Sequence, residues 1–207
     1  MIEIKNEVGE ILLSGVVGDG WDENPITQKE ITKALKSFGN SSVTIRINSP
    51  GGSADEGIGI YNAIKSHAGE VTTINDSLAA SAASIIFLAG SKRLMSDGSR
   101  LMIHRALGFA FGNQDDLRKY LAALESYDRS LVDIYSKYMS ESKENIEALL
   151  SAETWYEADA AIDSGLATGR FENGNKRKKP EKQMDAAKSN LQRLAMAKFA
   201  QHLTRGK

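Results

Sequence analysis

The sequence predicts an α/β protein in which parallel strands are joined by crossover helices. Segments with strand-like and helix-like patterns alternate in the order β-α-β-α-β-α-β over the first half of the chain, an order typical of parallel sheets. A long amphipathic helix follows them. The 207 residues, 41% hydrophobic and 26% charged, suit one globular domain with a full-sized core.

The first elements follow from local patterns. Glu10 to Val17 predicts a short apolar strand. Thr27-Gln28-Lys29-Glu30 has the pattern of a capping box, in which the threonine oxygen bonds a free helix amide and the glutamate returns to the cap, so a helix begins there. Ser42 to Ile47 alternates apolar and polar residues as a strand does, and Ala54 to Ser66 returns to helical spacing.

The later elements complete the pattern. Glu70 to Ile74 and Arg100 to Ile103 predict strands, and Leu78 to Ala89 predicts a buried helix between them. Asp115 to Met139 carries apolar residues at helical spacing, in a stripe wide enough that the helix must pack against the body or another subunit. Two shorter helices are predicted near Asn145–Leu150 and Glu157–Ser164.

The charge divides the chain into two parts. Residues 175–207 hold ten Lys/Arg and two acids, for a charge of +8, and residues 1–174 carry -9. We therefore predict a globular domain over 1–172 and a basic extension over 173–207. The extension has amphipathic helical spacing, and it is either a solvated tail or a docking helix for another subunit, an acidic scaffold protein or nucleic acid.

Composition excludes several classes of site and location. The chain has no Cys, so disulfides and thiolate metal sites are excluded. Met1 to Lys5 contains no apolar core of signal-peptide length, and the longest apolar run, Leu78 to Gly90, is too short to span a bilayer. These features predict a cytoplasmic protein without a membrane segment.

A glycine-rich turn is the first candidate for chemistry. Asn48-Ser49-Pro50-Gly51-Gly52 ends a predicted strand, and backbone amides with no Cβ nearby can approach a developing oxyanion closely. A plain strand-to-helix turn that uses glycine for positive φ is the alternative. The further glycines of a dinucleotide site and the Lys-Ser/Thr of a P-loop are absent.

A serine near the start of an Ala-rich helix is the candidate nucleophile. Ser81 lies where backbone amides and the helix dipole favour negative charge, and the amide of Ala82 is the natural second oxyanion donor. Ser84 is a rival, because it lies one turn on along roughly the same face. Either serine is also explained as a small residue packed in a tight interior.

The candidate general base is His104, which follows a predicted strand. His67 ends a surface helix and His202 lies in the basic extension, so His104 is the best of the three histidines. A triad also needs an acid to hold the imidazole tautomer. Candidates among the twenty-seven carboxylates include Asp97, Asp115 and Glu153.

These motifs together resemble the proteolytic subunit of the Clp protease, a family of serine peptidases with a crotonase-like spiral fold of β-β-α units. The resemblance covers roughly residues 10–170. Residues 48–52 match the family's glycine loop, Ala79-Ala80-Ser81 followed by Leu88-Ala89-Gly90 matches its nucleophile helix, and residues 99–104 match its histidine strand. The separation from Leu88-Ala89-Gly90 back to the nucleophile selects Ser81 over Ser84.

The resemblance also implies the remaining site residues. Glu153-Thr154-Trp155 falls where the family has its acid, so Glu153 is implied as the third triad member in place of the usual aspartate. Leu107-Gly108 matches part of the substrate-binding strand. The sequence departs from the family beside these residues, where Ala106 and Phe109 replace a proline and a glycine.

Family membership further implies an assembly and partners. Clp proteolytic subunits form heptameric rings, usually stacked through the long helix, act on protein or peptide substrates and need no metal or organic cofactor. The short segment before Ser49 and the basic extension are similar to Clp-like proteases of phages and prophages. That similarity implies capsid maturation with a capsid or scaffold protein as partner, and it counts against an unfoldase ATPase partner.

Two alternatives from other classes stay open at this point. A catalytically inactive ring-forming assembly protein would keep the fold and lose the chemistry, in line with the glutamate at 153. A crotonase-type acyl-CoA enzyme would share the fold and an oxyanion hole, and it would not require Ser81 and His104 at these positions.

Overall fold

The predicted parallel α/β architecture is confirmed by a computed structural model, which describes residues 1–5, 9–18 and 23–172. In the described residues eight strands form one sheet: β1 (Ile2–Lys5), β2 (Glu10–Val17), β3 (Val43–Gly52), β4 (Val71–Ala80), β5 (Lys92–Met95), β6 (Arg100–Ile103), β7 (Thr154–Tyr156) and β8 (Gly169–Arg170). The helices are α1 (Gln28–Ser37), α2 (Ala54–Lys65), α3 (Ala82–Leu88), α4 (Gln114–Tyr135), α5 (Lys143–Ser151) and α6 (Ala158–Asp163).

Strand β4 organises the sheet. It pairs with β3 along one edge, and along the other edge it pairs first with β5 and then with β6. These pairs are parallel, as are β2–β3 and β5–β8, whereas β1 and β7 pair antiparallel with β2 and β6. Because β5 and β6 share one edge of β4, the sheet diverges there and leaves the end of β6 beside the end of β4.

The register of these strands brings three chain segments to one point. Ser49 of β3 lies opposite Ala79 of β4, and Ala80 lies opposite Met102 of β6. The residues that follow each strand therefore meet at the carboxyl edge of the sheet, which is where open α/β sheets bind ligands.

Helix α3 is shorter than predicted. The sequence predicted a helix from Leu78, but residues 78–80 continue β4 and the helix begins at Ala82. Alanine favours helices, yet pairing with two neighbouring strands satisfies these backbone groups in the extended form and overrides that preference. All seven residues of α3 are buried, so the helix lies within the core.

Helix α4 is buried along only part of its length. Asn113 and Asp116 form a reciprocal capping box that fixes its first turn. Near its end Leu131 and Tyr135 are buried, whereas Leu117 and Leu121 near its start are exposed. The predicted apolar stripe is thus only partly covered within this chain.

The compact unit that carries the sheet spans Met1–Phe171. Within the described residues no helix combines the length and apolar character needed to cross a membrane. The predicted basic extension, with its amphipathic helix and His202, lies outside the described residues.

Candidate active site

Ser81 occupies a sharp turn between β4 and α3. Its backbone has φ 54° and ψ -126°, and among the described non-glycine residues only Ser81 and Glu153 have positive φ. Such conformations cost about 1–3 kcal/mol and persist where the surroundings enforce them. Here the Ser81 amide donates to Met102 O (2.9 Å), and its carbonyl accepts from Ser84 N (2.9 Å). The turn presents the Ser81 side chain at the edge of the sheet.

The Ser81 hydroxyl lies 2.7 Å from His104 Nε2. Ser81 precedes α3, but its side chain does not cap the helix, so Oγ is available to the imidazole. Both residues are half-buried. A serine and an imidazole at this distance are the nucleophile and general base of acyl-transfer chemistry. His67, in contrast, lies just beyond the end of α2, and its Nε2 contacts Ser41 O (2.9 Å).

Ser84 cannot compete with Ser81 for a substrate. Its side chain is 0% exposed. The Ser84 hydroxyl donates to Ser81 O (2.6 Å) and lies 2.6 Å from the Tyr135 hydroxyl. These contacts point it into the core and away from His104.

The glycine-rich segment was predicted as a turn, but it forms the last residues of β3, where Gly51 and Gly52 pair with β2. This segment, the glycine loop of the family motif, packs directly against the turn at Ser81. Gly51 has φ +94°, and a Cβ there would lie 2.6 Å from Ala80 O, 2.7 Å from Ser81 Cβ and 2.9 Å from Ala82 N. Its amide donates to the buried Ser49 hydroxyl (3.1 Å). Gly51 therefore permits the close approach of two segments, and the neighbouring Gly52 lines the cavity described next.

A cavity of about 730 Å³ opens beside Ser81 and His104. Its volume lies within the usual range for ligand sites, roughly 300–1,000 Å³. Helices α3 and α4 supply apolar and aromatic side chains to its wall, which include Ile85, Leu124, Leu131, Tyr120 and Tyr127. Ala82 also lines it, so the peptide that follows the serine faces the same space.

Glu153 lines this cavity without contacting the imidazole. Its carboxylate accepts a bond from the Trp155 indole N–H (3.4 Å), and its side chain is exposed. In the part of the chain that the structure describes, the one hydrogen bond of the His104 ring is to Ser81. The structure thus brings Ser81 and His104 together, and it leaves Glu153 turned towards Trp155.

The other two candidate acids are engaged elsewhere. Asp97 lies 3.6 Å from Arg170, and Asp115 lies 3.5 Å from Arg118 in the first turn of α4. Neither lines the cavity. Glu153 is therefore the one of the three sequence candidates that shares the cavity with His104.

Leu107 and Gly108 follow His104 along the rim. Leu107 lines the cavity, yet 81% of its surface is exposed. Gly108 lies against the Tyr120 hydroxyl, which an added Cβ would overlap. The segment therefore has the position expected of a substrate-binding strand, with an apolar side chain facing outward.

Sequence reasoning missed the residues of α4 that hold this site. Asp128 accepts a bond from Ala106 N (2.8 Å) and thereby anchors the segment after His104. It lies at helical spacing from Leu124, Leu131 and Tyr135, which all line the cavity. The sequence signal that could have identified Asp128 is a carboxylate on the apolar face of the predicted helix.

Known proteins resemble this chain in sequence and in fold. The family model described as Clp protease matches residues 10–172. The ATP-dependent Clp protease proteolytic subunit 1 of Chlamydia abortus is 34% identical over 156 residues, 70% of this chain and 81% of that protein. The ATP-dependent Clp protease proteolytic subunit of Porphyromonas gingivalis is 30% identical over 168 residues, 80% of this chain and 75% of that protein.

A solved structure confirms the predicted crotonase-like fold. A mutant of ClpP1 from Listeria monocytogenes superimposes with a TM-score of 0.66 at 24% identity, over 82% of this chain and 94% of that chain. The family match covers strands β2 to β8, the turn at Ser81 and Glu153 in one continuous stretch. By sequence and by fold, the chain belongs to the Clp protease family.

Proposed function

We propose that the protein is a serine endopeptidase that cleaves peptide bonds inside an oligomeric chamber. The observation that carries the proposal is the 2.7 Å contact between Ser81 Oγ and His104 Nε2 at the mouth of a cavity. Membership of the Clp protease family supports the same reaction class.

The proposed reaction is acyl transfer. Ser81 Oγ attacks the peptide carbonyl carbon while His104 Nε2 takes the hydroxyl proton, which gives a tetrahedral intermediate. His104 then gives that proton to the leaving amine as the C–N bond breaks. Water, deprotonated by His104, attacks the resulting ester and releases the acid product and free Ser81.

The oxyanion of the intermediate needs hydrogen-bond donors. Ala82 N–H belongs to the peptide next to the nucleophile, and Gly52 lines the same cavity. The amide of Gly51 already donates to Ser49, so we assign Gly51 the supporting role of allowing close packing. Loss of one oxyanion donor lowers turnover by about 10²–10³-fold in such sites.

We propose Glu153 as the triad acid. With Nε2 accepting from Ser81, the His104 Nδ1–H needs an acceptor, and the Glu153 carboxylate must turn from Trp155 to provide it. Its backbone supports a role for the side chain. Glu153 has φ 52° just after α5, where glycine is the unstrained choice.

Active-site labelling tests the proposal most directly. A fluorophosphonate probe should add once to the wild-type protein, on Ser81, and Ser81→Ala and His104→Ala should remain unlabelled. Ser91→Ala removes a serine hydroxyl that bonds Val71 O outside the cavity, so it should label like the wild type. Labelling that survives in Ser81→Ala, or maps to another residue, would contradict the proposed nucleophile.

Exposed apolar residues support a homo-oligomer. Phe109 and Phe111 are 88% and 94% exposed, and Leu117 and Leu121 of α4 are 46% and 57% exposed. We propose that these four residues form the contact between subunits in a heptameric ring or stacked rings. Native mass spectrometry of the wild type and of Phe109→Ser/Phe111→Ser should show loss of the assembly, and an unchanged mass would contradict the assignment.

The basic extension supports a narrower role in phage or prophage capsid maturation. Its charge of +8 suits an acidic capsid or scaffold protein in the cytoplasm, and peptide cleavage is expected without an ATPase partner. An acidic scaffold protein should be retained by the full chain and lost after deletion of residues 173–207. Equal retention by both chains would contradict this role.

One observation favours an inactive assembly protein as a second candidate. The Glu153 carboxylate bonds Trp155 and leaves His104 without an acid partner among the described residues. An inactive assembly protein should not react with the fluorophosphonate, whereas a serine endopeptidase should be labelled on Ser81. The same experiment therefore decides between them.

A further inference from the structure

A buried chain of hydroxyl groups connects α4 to the carbonyl of Ser81. Tyr135 OH lies 2.6 Å from Ser84 Oγ, and Ser84 Oγ lies 2.6 Å from Ser81 O. Ser84 is 0% and Tyr135 1% exposed, so water does not compete for these bonds. The two residues are 51 positions apart in the chain, and the proposed reaction uses neither hydroxyl.

The direction of this chain follows from its last acceptor. The Ser81 carbonyl can only accept, so the Ser84 hydroxyl donates to it. The single Ser84 proton is then committed, and Tyr135 must donate to Ser84 Oγ. Burial raises the pKa of Tyr135, which keeps its hydroxyl protonated and able to donate. Tyr135 therefore donates to Ser84, and Ser84 donates to Ser81 O.

The Ser81 carbonyl belongs to the same peptide unit as the Ala82 N–H, which is a proposed oxyanion donor. Ser81 C=O and Ala82 N–H are two ends of one planar peptide unit and point in opposite directions. A bond that fixes the carbonyl thereby fixes the direction of the Ala82 N–H. Bonds in a buried chain also polarise one another, by about 10–30% each, which strengthens the N–H as a donor.

We propose that Ser84 and Tyr135 are positioning residues that hold the Ser81–Ala82 peptide so that the Ala82 N–H points at the developing oxyanion. This inference rests on the proposed function, because it concerns the oxyanion of the same reaction. The Ser84 hydroxyl, with the Tyr135 hydroxyl behind it, holds the Ser81 carbonyl together with the Ser84 N–H, which bonds the same oxygen (2.9 Å).

A merely structural role for the two hydroxyl groups makes a different prediction. Each substitution would then lower stability and leave turnover unchanged. The chain offers a matched control for each residue. Ser99, 2% exposed, donates to Ser96 O (2.8 Å) three residues back, as Ser84 does to Ser81 O. Tyr61, 5% exposed, shares a hydroxyl–hydroxyl bond of 2.9 Å with Tyr138.

The experiment compares Ser84→Ala, Tyr135→Phe and the double variant with Ser99→Ala and Tyr61→Phe. We measure kcat and KM on a fluorogenic peptide, and the inhibition constant of a peptide boronate, which forms a tetrahedral adduct with the serine. In Ser84→Ala and Tyr135→Phe we expect kcat to fall by about tenfold or more with KM within about twofold. Boronate affinity should fall by the same factor as kcat/KM, because the adduct uses the same donor.

The double variant and the controls sharpen this expectation. Because the two hydroxyls act as one chain, the double variant should be no slower than the slower single variant. Both control variants should retain wild-type kcat and boronate affinity. If Tyr135→Phe does not fold, Ser84→Ala with its Ser99→Ala control decides the question alone.

The outcomes separate this inference from the proposed function. A wild-type protein that reacts with neither fluorophosphonate nor peptide contradicts the proposed function, and the inference fails with it. A wild-type protein that labels on Ser81, with Ser84→Ala and Tyr135→Phe at control values of kcat and boronate affinity, overturns the inference alone.

Discussion

Substitution of Gly51 by alanine tests whether the glycine loop must pack against the nucleophile. Gly51 has φ +94°, and its new Cβ would meet three atoms of the turn at 2.6–2.9 Å, including Ser81 Cβ and Ala82 N. Two of the three atoms belong to the backbone, so they cannot swing away as the end of a flexible side chain does. The loop and the turn must separate to admit the methyl group.

The expected cost has two parts, and the chain provides a control for one of them. Positive φ costs an alanine about 1–2 kcal/mol, and overpacking typically adds about 1–3 kcal/mol. Gly98 has φ +74° and nothing within 4 Å of the position of a Cβ, so Gly98→Ala carries only the first part. Gly51→Ala should therefore lower the free energy of unfolding by roughly 2–5 kcal/mol, and Gly98→Ala by about 1–2 kcal/mol.

Denaturant unfolding and fluorophosphonate labelling together measure the effect. Both are done at one protomer concentration, since assembly makes apparent stability concentration-dependent. Displacement of Ser81 and Ala82 should slow labelling of Gly51→Ala by about 10²-fold, whereas Gly98→Ala should label like the wild type. Equal stability losses in the two variants, with labelling intact in Gly51→Ala, would refute the packing argument.

Three further predictions concern the rim of the cavity and the body of the domain. Glu153→Gly should raise the free energy of unfolding by about 1 kcal/mol, because glycine adopts φ 52° without strain. The same variant should cleave peptides more slowly. A lower stability in denaturant would contradict the argument from backbone strain. Gly108→Ala should displace the Tyr120 hydroxyl, the movable end of a side chain, so steady-state kinetics should show a changed KM while the melting temperature stays constant. Arg93→Met removes hydrogen bonds from a half-buried guanidinium to Leu166 O (2.8 Å) and to two other carbonyls. It should lower the free energy of unfolding by about 2–3 kcal/mol. A loss below about 0.5 kcal/mol would show that water replaces the lost hydrogen bonds.

The sequence could predict the parallel sheet because local and tertiary preferences agree there. The Thr27 cap begins α1 where predicted, and the alternating residues before Asn48 lie in β3, which extends past them to Gly52. Local and tertiary preferences disagree at Leu78–Ala80, where small residues with helical propensity extend β4 because two strands pair with them. Strand β5, Lys92–Met95, was missed because four residues with little alternation form a strand only through their neighbours.

The sheet explains why Ser81 and His104 meet, although the sequence had placed Ser81 within a helix that begins at Leu78. Each motif ends a strand, and parallel strands in one sheet present their carboxyl ends at the same edge. The pairing of β6 with β4 was not predicted, since periodicity alone does not assign neighbours. The register that sets Ala80 opposite Met102 brings the two segments side by side, and the Ser81 and His104 side chains then meet at 2.7 Å.

The sequence does not predict the direction of side chains outside the sheet. Glu153 was placed by resemblance, but whether its carboxylate bonds Trp155 or His104 depends on one rotamer at the end of α5. The Ser84–Tyr135 bond depends on how α4 lies across α3, and no local pattern encodes that crossing. Both contacts involve residues after His104 that pack back onto the strand ends, so α4 and α5 decide the fine geometry of a site whose reactive pair is fixed by the sheet. Variants of α4 that disturb assembly should therefore be assayed for labelling of Ser81 as well as for mass, because this helix carries exposed apolar residues and also part of the cavity wall.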